Sequence, residues 1–297
     1  MSGVTQFEGV PPWLQRNWDI RAAGNFVGGG TGTGFLLVAS LAGFKLGLVW
    51  PLALIGLAFV GAGLLCVWLE IGRPWRALNV FFHPQTSWMT REAMVSMPLF
   101  AIGLAAAWFN SPSLLLAAAV VGLGFLYCQG RILKASRGIP AWREETIVPL
   151  IMATGIAEGA GLFLALASLM PGALPAWAMP LFILVLAARF LLWRTYVARL
   201  ARGGAPKKAS AALRKAHPLI FWGGHVVPTV LLALALALPP AVAPGLAVVA
   251  GLMGLAGGWY MKIVIILRAA FNQGFAVSFA PTRGAGTPAG GAAPGWD

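Results

Sequence analysis

The chain has 297 residues, of which 59% are apolar and only 10% charged, with 38 Gly, 21 Pro and a mean hydropathy of +0.81. Soluble domains carry about 25% charged residues, and a water-soluble globule of this size could not hide so much apolar surface. The composition therefore excludes a cytosolic enzyme, a disordered chain and a secreted disulfide scaffold, and leaves a polytopic membrane protein.

Residues 1–23 lack the apolar core of a signal peptide and read as a cytoplasmic N-terminal segment. A helix needs about 20 apolar residues to cross the hydrocarbon. Eight segments meet that length, at roughly 24–44, 50–70, 92–110, 113–131, 146–169, 175–198, 218–239 and 244–267. These runs are apolar all round, so periodicity carries no signal. The breaks do: Pro51, the Arg73-to-Arg91 stretch, Ser111-Pro112, Arg137-Gly138, Pro171-Gly172, Gly203 to Pro206 and Pro239-Pro240. The expected fold is an all-α integral membrane protein with eight transmembrane helices in two four-helix bundles, spanning 24–268. Residues 269–297 form a Gly/Ala/Pro-rich tail, flexible or laid against a partner.

The net charge of +13 and a pI near 11.1 would suggest nucleic acid in a soluble protein. In a membrane protein the basic residues report topology. Eighteen of the 21 fall on one side, in the N-terminal segment, loops 2–3, 4–5 and 6–7, and the C-terminal end; Lys45 stands alone on the other, and Arg189 and Lys262 lie within spans. This split places both termini in the cytoplasm, with lipid and not nucleic acid as the neighbour.

Candidate site residues begin in span 1. Asn25 offers a donor and an acceptor near the cytoplasmic end. Gly28 and Gly32, like Gly30 and Gly34, are small-xxx-small pairs; close helix packing explains them, and so does the approach of a flat ring to bare backbone. The longest stretch outside the spans, LEIGRPWRALNVFFHPQTSWMTRE at 69–92, is rich in Arg and Trp. Interfacial anchoring accounts for Trp75, Trp88, Arg73, Arg76 and Arg91. Glu70, a carboxylate closing span 2, calls for a further reason.

Within the spans, Glu158 is central in span 5 and Arg189 slightly cytoplasmic of centre in span 6. His225 lies about two turns inside span 7, and Lys262 at similar depth in span 8. Glu158 with Arg189 reads as a structural ion pair or part of a proton path. Asn25, Glu70, Arg73, Arg91, His225 and Lys262 all fall toward the cytoplasmic side. Such a group would suit a lipid-soluble carrier of two electrons and two protons, whose ring carbonyls need donors and whose protons need a titratable group near water. Cys66 and Cys128 form no CxxC, and His83, His217 and His225 give no matched pair on facing helices, so no iron–sulfur cluster, haem or metal site is expected.

The run EIGRPWRALN…SWMTRE resembles the loop 2–3 signature of the membrane anchor subunits of DMSO-reductase-type molybdoenzymes, the DmsC/NrfD/PsrC superfamily. The pattern there reads like H-L-G-x-P-x-R-A, then S-W-[ML]-[ST]-R-E. NFVGGGTGTG resembles the glycine-rich first helix of that superfamily. GWYMKIVIILRAAFNQGF is similar to the last span of a DmsC-like subgroup that includes anchors of phenylacetyl-CoA:acceptor oxidoreductase. The resemblance covers about residues 15–280. One position departs: Glu70 stands where many members have His, with a reference pKa near 4.3 against 6.5.

The resemblance implies a quinone-reactive anchor without a redox centre of its own, in a respiratory oxidoreductase complex. Electrons would pass between ubiquinone or menaquinone and an iron–sulfur electron-transfer subunit. Beyond that subunit lies a molybdopterin catalytic subunit with bis-molybdopterin guanine dinucleotide, docked on the cytoplasmic face. On this reading the flow is toward quinone. Glu70 and His225 handle protons, Asn25 meets a ring carbonyl, Gly28 and Gly32 admit the ring, and Arg73, Trp88, Arg91 and Lys262 position or dock. Two rivals stand beside it: a proton-coupled secondary transporter using Glu158, Arg189 and Lys262, which lacks an evident internal repeat, and a purely structural anchor.

Overall fold

A computed structural model describes residues 8–72, 74–170, 172–277 and 292–293. The chain runs through β1 (Glu8–Val10), α1 (Ile20–Leu46), α2 (Val49–Glu70), a 3-10 helix (Pro74–Phe81), α3 (Trp88–Trp108), α4 (Pro112–Ala135), the single turn α5 (Pro140–Arg143), α6 (Ile147–Ser168) and α7 (Ala178–Arg202). Then α8 (Lys207–Pro218) continues through a π-helical stretch (Leu219–Val226) into α9 (Val227–Ala237), and α10 (Ala243–Ile263) ends in a second π-helical stretch (Val264–Arg268) before β2 (Phe275–Val277) and the two-residue β3 (Ala292–Ala293). Among the described residues, seven helical segments are long and apolar enough to cross a membrane, with α8 to α9 counting as one. The protein is thus a multi-pass, all-α membrane protein.

Helix ends follow local chemistry. Asp19 caps α1 by accepting from the Arg21 backbone N–H at 2.8 Å. The Arg21 guanidinium, hydrogen-bonded to the same carboxyl, holds it below the usual carboxylate range. Gly47 ends the helix in the left-handed region at φ 64°. The start lies four residues before the expected 24, because the cap and not the apolar run defines the first turn. For the same reason α3 starts at Trp88 and not 92: Ser87 caps it through the Thr90 N–H, so the polar turn Thr90-Arg91-Glu92 is already helical. The expected span 218–239 reaches back to Lys207 through the amphipathic α8, whose buried side is Ala209, Leu213 and Ala216.

α1 and α6 are the hub. Some 83% of the apolar stretch of α1 is buried, against 28% for α2 and for α7. Two glycine faces let α1 be central. Gly28 and Gly32 meet α2, where a Cβ on Gly28 would stand 2.6 Å from the Phe59 carbonyl and 2.8 Å from Gly63 N. Gly34 meets Gly155 and Gly159 of α6, where an added Cβ would overlap backbone atoms. Between helices in lipid there is no hydrophobic drive, so such close contact is what holds them. α3 packs between α2 and α4, and α10 against α6 and α9.

Side-chain bonds fix which helix ends share a face. Asn110, after α3, accepts from the Val49 and Trp50 N–H groups and donates to the Gly47 carbonyl, so the α3 C-terminus sits at the α1–α2 turn. At the opposite end the Arg21 guanidinium donates to the Leu69 carbonyl, joining the start of α1 to the end of α2. The two ends of the described chain meet on this second face. β1 and β2 pair antiparallel, β3 pairs with β2, Gln15 N–H donates to the Ala270 carbonyl, and Trp13 N–H to Asn272 Oδ1. Residues 269–277, the first part of the expected tail, are therefore held to the N-terminal segment by backbone hydrogen bonds. Most of the remaining tail lies outside the described residues.

Candidate functional site

Buried polar side chains gather in two clusters on either side of α1, at residues 25–31. The first joins α1, α3 and α4. Asn25 Nδ2 donates to Glu92 at 3.2 Å, and Gln129 Nε2 donates to the Asn25 carbonyl at 2.9 Å. Asn25 and Glu92 are each 4% exposed and Gln129 is fully buried. Asn25 Oδ1 and Gln129 Oε1 are left without a donor. Glu92 is held by an amide, with no cation within 4 Å among the described residues. Here is a carboxylate with two orphan acceptors beside it, a place that asks for an O–H or N–H donor.

One turn toward the basic face, Trp88 is half-buried between two guanidiniums. Arg91 lies 4.1 Å and Arg131 4.3 Å from its ring, and Tyr127 meets it edge-on. Arg91 donates to the Pro84 and Gln85 carbonyls, so it clamps the loop that leads into α3. Arg131 donates to the Tyr127 hydroxyl.

The second cluster joins α1, α6, α7, α10 and the first π-helical stretch. Lys262 Nζ pairs with Glu158 Oε2 at 2.7 Å and donates to the Phe26 carbonyl at 2.6 Å. Thr31 donates to the same Glu158 oxygen at 3.1 Å and accepts from the Trp259 indole at 2.9 Å. Gly30 leaves room for the ammonium, since a Cβ there would fall on Lys262 Nζ. Arg189, fully buried, donates to His225 Nε2 at 3.0 Å and to the Gly254 and Gly224 carbonyls at 2.8 and 2.6 Å. The Gly224 carbonyl lies in the π-helical stretch just before Pro228, which has no N–H to give to that ladder, and the guanidinium donates to it. His225 Nδ1 bonds the Ile220 carbonyl at 2.8 Å, so both ring nitrogens are engaged within the protein.

The expected ion pair of Glu158 with Arg189 does not form. Glu158 pairs with Lys262, whose long stem crosses from α10 over Gly30, while the Arg189 guanidinium is taken up by His225 and by the Gly224 and Gly254 carbonyls. Nor do Asn25, Glu70, His225 and Lys262 share one site: Asn25 belongs to the first cluster, Lys262 and His225 to the second. Glu70 is half-buried at the end of α2, and its carboxyl bonds none of the described residues. Arg73 lies outside the described residues. Gly28 and Gly32 face α2, where the Phe59 and Gly56 carbonyls occupy the space a ring would need.

Glu92 and Gln129 are the residues that sequence reasoning passed over. Glu92, next to Arg91, reads as an interfacial charge, and the helical turn that swings it inward depends on the Ser87 cap. Gln129 did carry a signal, a lone amide in the apolar run GFLYCQG.

Among the described residues no three or more His, Cys, Asp or Glu side chains come together to hold a metal ion. No family model matches the chain, and no curated protein matches it. What fold and site define is a multi-pass membrane protein with two buried polar clusters flanking its central helix.

Proposed function

We propose that the chain is the quinone-reactive membrane anchor of a respiratory oxidoreductase, passing electrons from a cytoplasmic molybdopterin enzyme, through an iron–sulfur subunit, to ubiquinone or menaquinone. One observation carries the reading. The three stretches that resemble the DmsC/NrfD/PsrC superfamily are far apart in sequence, yet they converge on one segment of α1. The loop 2–3 stretch arrives as Glu92 on Asn25, and the last-span stretch as Lys262 on Phe26 and Trp259 on Thr31. In this reading Glu92 joins Glu70 as a proton-handling group. The orphan acceptors of Asn25 and Gln129 receive a hydroquinone hydroxyl, and Trp88 with Arg91 and Arg131 covers the site on the basic face. His225 is the partner of Arg189.

The reading includes α3 as an eighth span and α1–α4 and α6–α10 as two four-helix bundles in a bacterial inner membrane. Its support is parity: a β1 and a β2 that pair on one face require an even number of crossings between them, and α3 runs from that face to the α1–α2 turn. The basic loops put that face in the cytoplasm.

The test is purification of the tagged chain from its native membranes in mild detergent. Iron and molybdenum should co-purify in fixed ratio to the chain, and the preparation should reduce or oxidise an added short-chain quinone. A preparation with neither metal, or a stoichiometric haem Soret band in this chain, would overturn the proposal.

A further inference from the structure

We propose that the seam between α7 and α8 is a site for one anionic phospholipid, its phosphodiester held on the basic face and an acyl chain laid along the groove. A cavity of about 690 Å³ opens there, within the 300–1,000 Å³ typical of a ligand site. Its floor is apolar: Trp193 is fully buried, and Phe190, Leu213 and Phe221 flank it. Its rim carries Arg194, Arg214 and His217.

The rim groups all donate. Arg194 and Arg214 are exposed, and neither meets a carboxylate within 4 Å among the described residues. Arg194 rests over the Phe190 ring, 6.0 Å from its centroid. The Trp193 indole N–H can only donate, and it donates to His217 Nδ1 at 3.2 Å. That bond leaves Nε2 as the hydrogen-bearing nitrogen of His217. The ring is held by stacking on Phe221, at 5.8 Å and 12°. Two planar forks and one N–H, with no acceptor among them, match a phosphate oxygen set.

A soluble phosphate would use the rim alone. The aromatic floor has no role for such an ion, whereas an acyl chain buries it. α8 supports the same choice, since it is an amphipathic helix that presents Arg214 at the end of α7, where headgroups lie. Basic pockets between helices at this level take anionic headgroups, and the chain as a whole carries 21 basic against 8 acidic residues.

The experiment is native mass spectrometry of the delipidated full chain with phosphatidylglycerol and phosphatidylcholine in equal amounts. The chain should retain one phosphatidylglycerol in clear preference to phosphatidylcholine. Arg194→Gln with Arg214→Gln should weaken that retention about tenfold or more for each guanidinium removed. Lys207→Gln with Lys208→Gln, on the same helix but outside the cavity, should keep it. Equal retention of the two lipids, wild-type retention by the arginine pair variant, or displacement by millimolar inorganic phosphate would each overturn the assignment. A photoreactive phosphatidylglycerol gives a readout that needs no variant. It should cross-link to peptides from 190–201 and 213–221, and cross-links confined to other helices would count against the site.

Discussion

Lys262 and Glu158 are both fully buried, and each makes the other tolerable. Removing one partner leaves an uncompensated charge in a low-dielectric interior. Lys262→Met should therefore destabilise the protein by about 3–5 kcal/mol, and adding Glu158→Gln should recover much of the loss, read as melting temperature in one detergent. Equal melting of the single and double variants would show that the pair is not the source. Glu92 differs in having an amide and no cation, which is why the proton-handling proposal rests on it. Glu92→Gln keeps shape and hydrogen bonding but cannot titrate. Quinone-linked turnover should fall about 10²–10⁴-fold, while turnover with a soluble artificial acceptor survives. Glu70→Gln, assayed on the same membranes, tells whether the carboxylate at the end of α2 shares the task. Parallel loss of both activities in either variant would mark that residue as structural.

Glycine does its work at the level of the helix pair. Gly34 and Gly159 lie where α1 and α6 touch backbone to backbone, and neither has room for a methyl group. Gly159→Ala should cost at least the ~1–3 kcal/mol usual for overpacking, since backbone and not a flexible side chain must yield. Gly138, with open space around its missing Cβ and an ordinary φ, is the control, and Gly138→Ala should melt within about 0.5 kcal/mol of wild type. The π-helical stretch before α9 is the other element-scale device. Pro228 follows it and can donate nothing to its ladder, and Arg189 spends its guanidinium on the Gly224 carbonyl within the stretch and on Gly254 of α10. The buried guanidinium thus ties the π-helical stretch to α10, and it lies near Glu158 over Gly258 without pairing with it.

For the whole molecule, the pairing of β1 with β2 brings the two ends of the described chain to one face, the face to which the basic loops are assigned. In a Cys66→Ala, Cys128→Ala background, Lys207→Cys should react with a membrane-impermeant maleimide only after the cells are opened. Val242→Cys, at the opposite face, should react in intact cells. Both positions are exposed. The reverse pattern would invert the topology and with it the docking face of the proposed partner subunits.

The membrane class, the helical fold and the breaks at Ser111-Pro112, Gly203 to Pro206 and Pro239-Pro240 were legible in the chain itself. They depend on composition and on local backbone preferences, which act without knowledge of neighbours. The importance of the span 1 glycines and of the buried charges was legible for a similar reason: bare backbone and a charge in lipid each demand a partner, whatever it proves to be. Which partner was not legible. The pairing of Glu158 with Lys262, the meeting of Asn25 with Glu92, and the use of Gly28 and Gly32 on α2 while Gly30 and Gly34 face the α6 side all depend on the rotation of each helix about its axis. Segments apolar on every side carry no stripe to encode that rotation. Only the packed bundle decides it, through the few places where a missing side chain lets two backbones, or a backbone and a buried charge, come close.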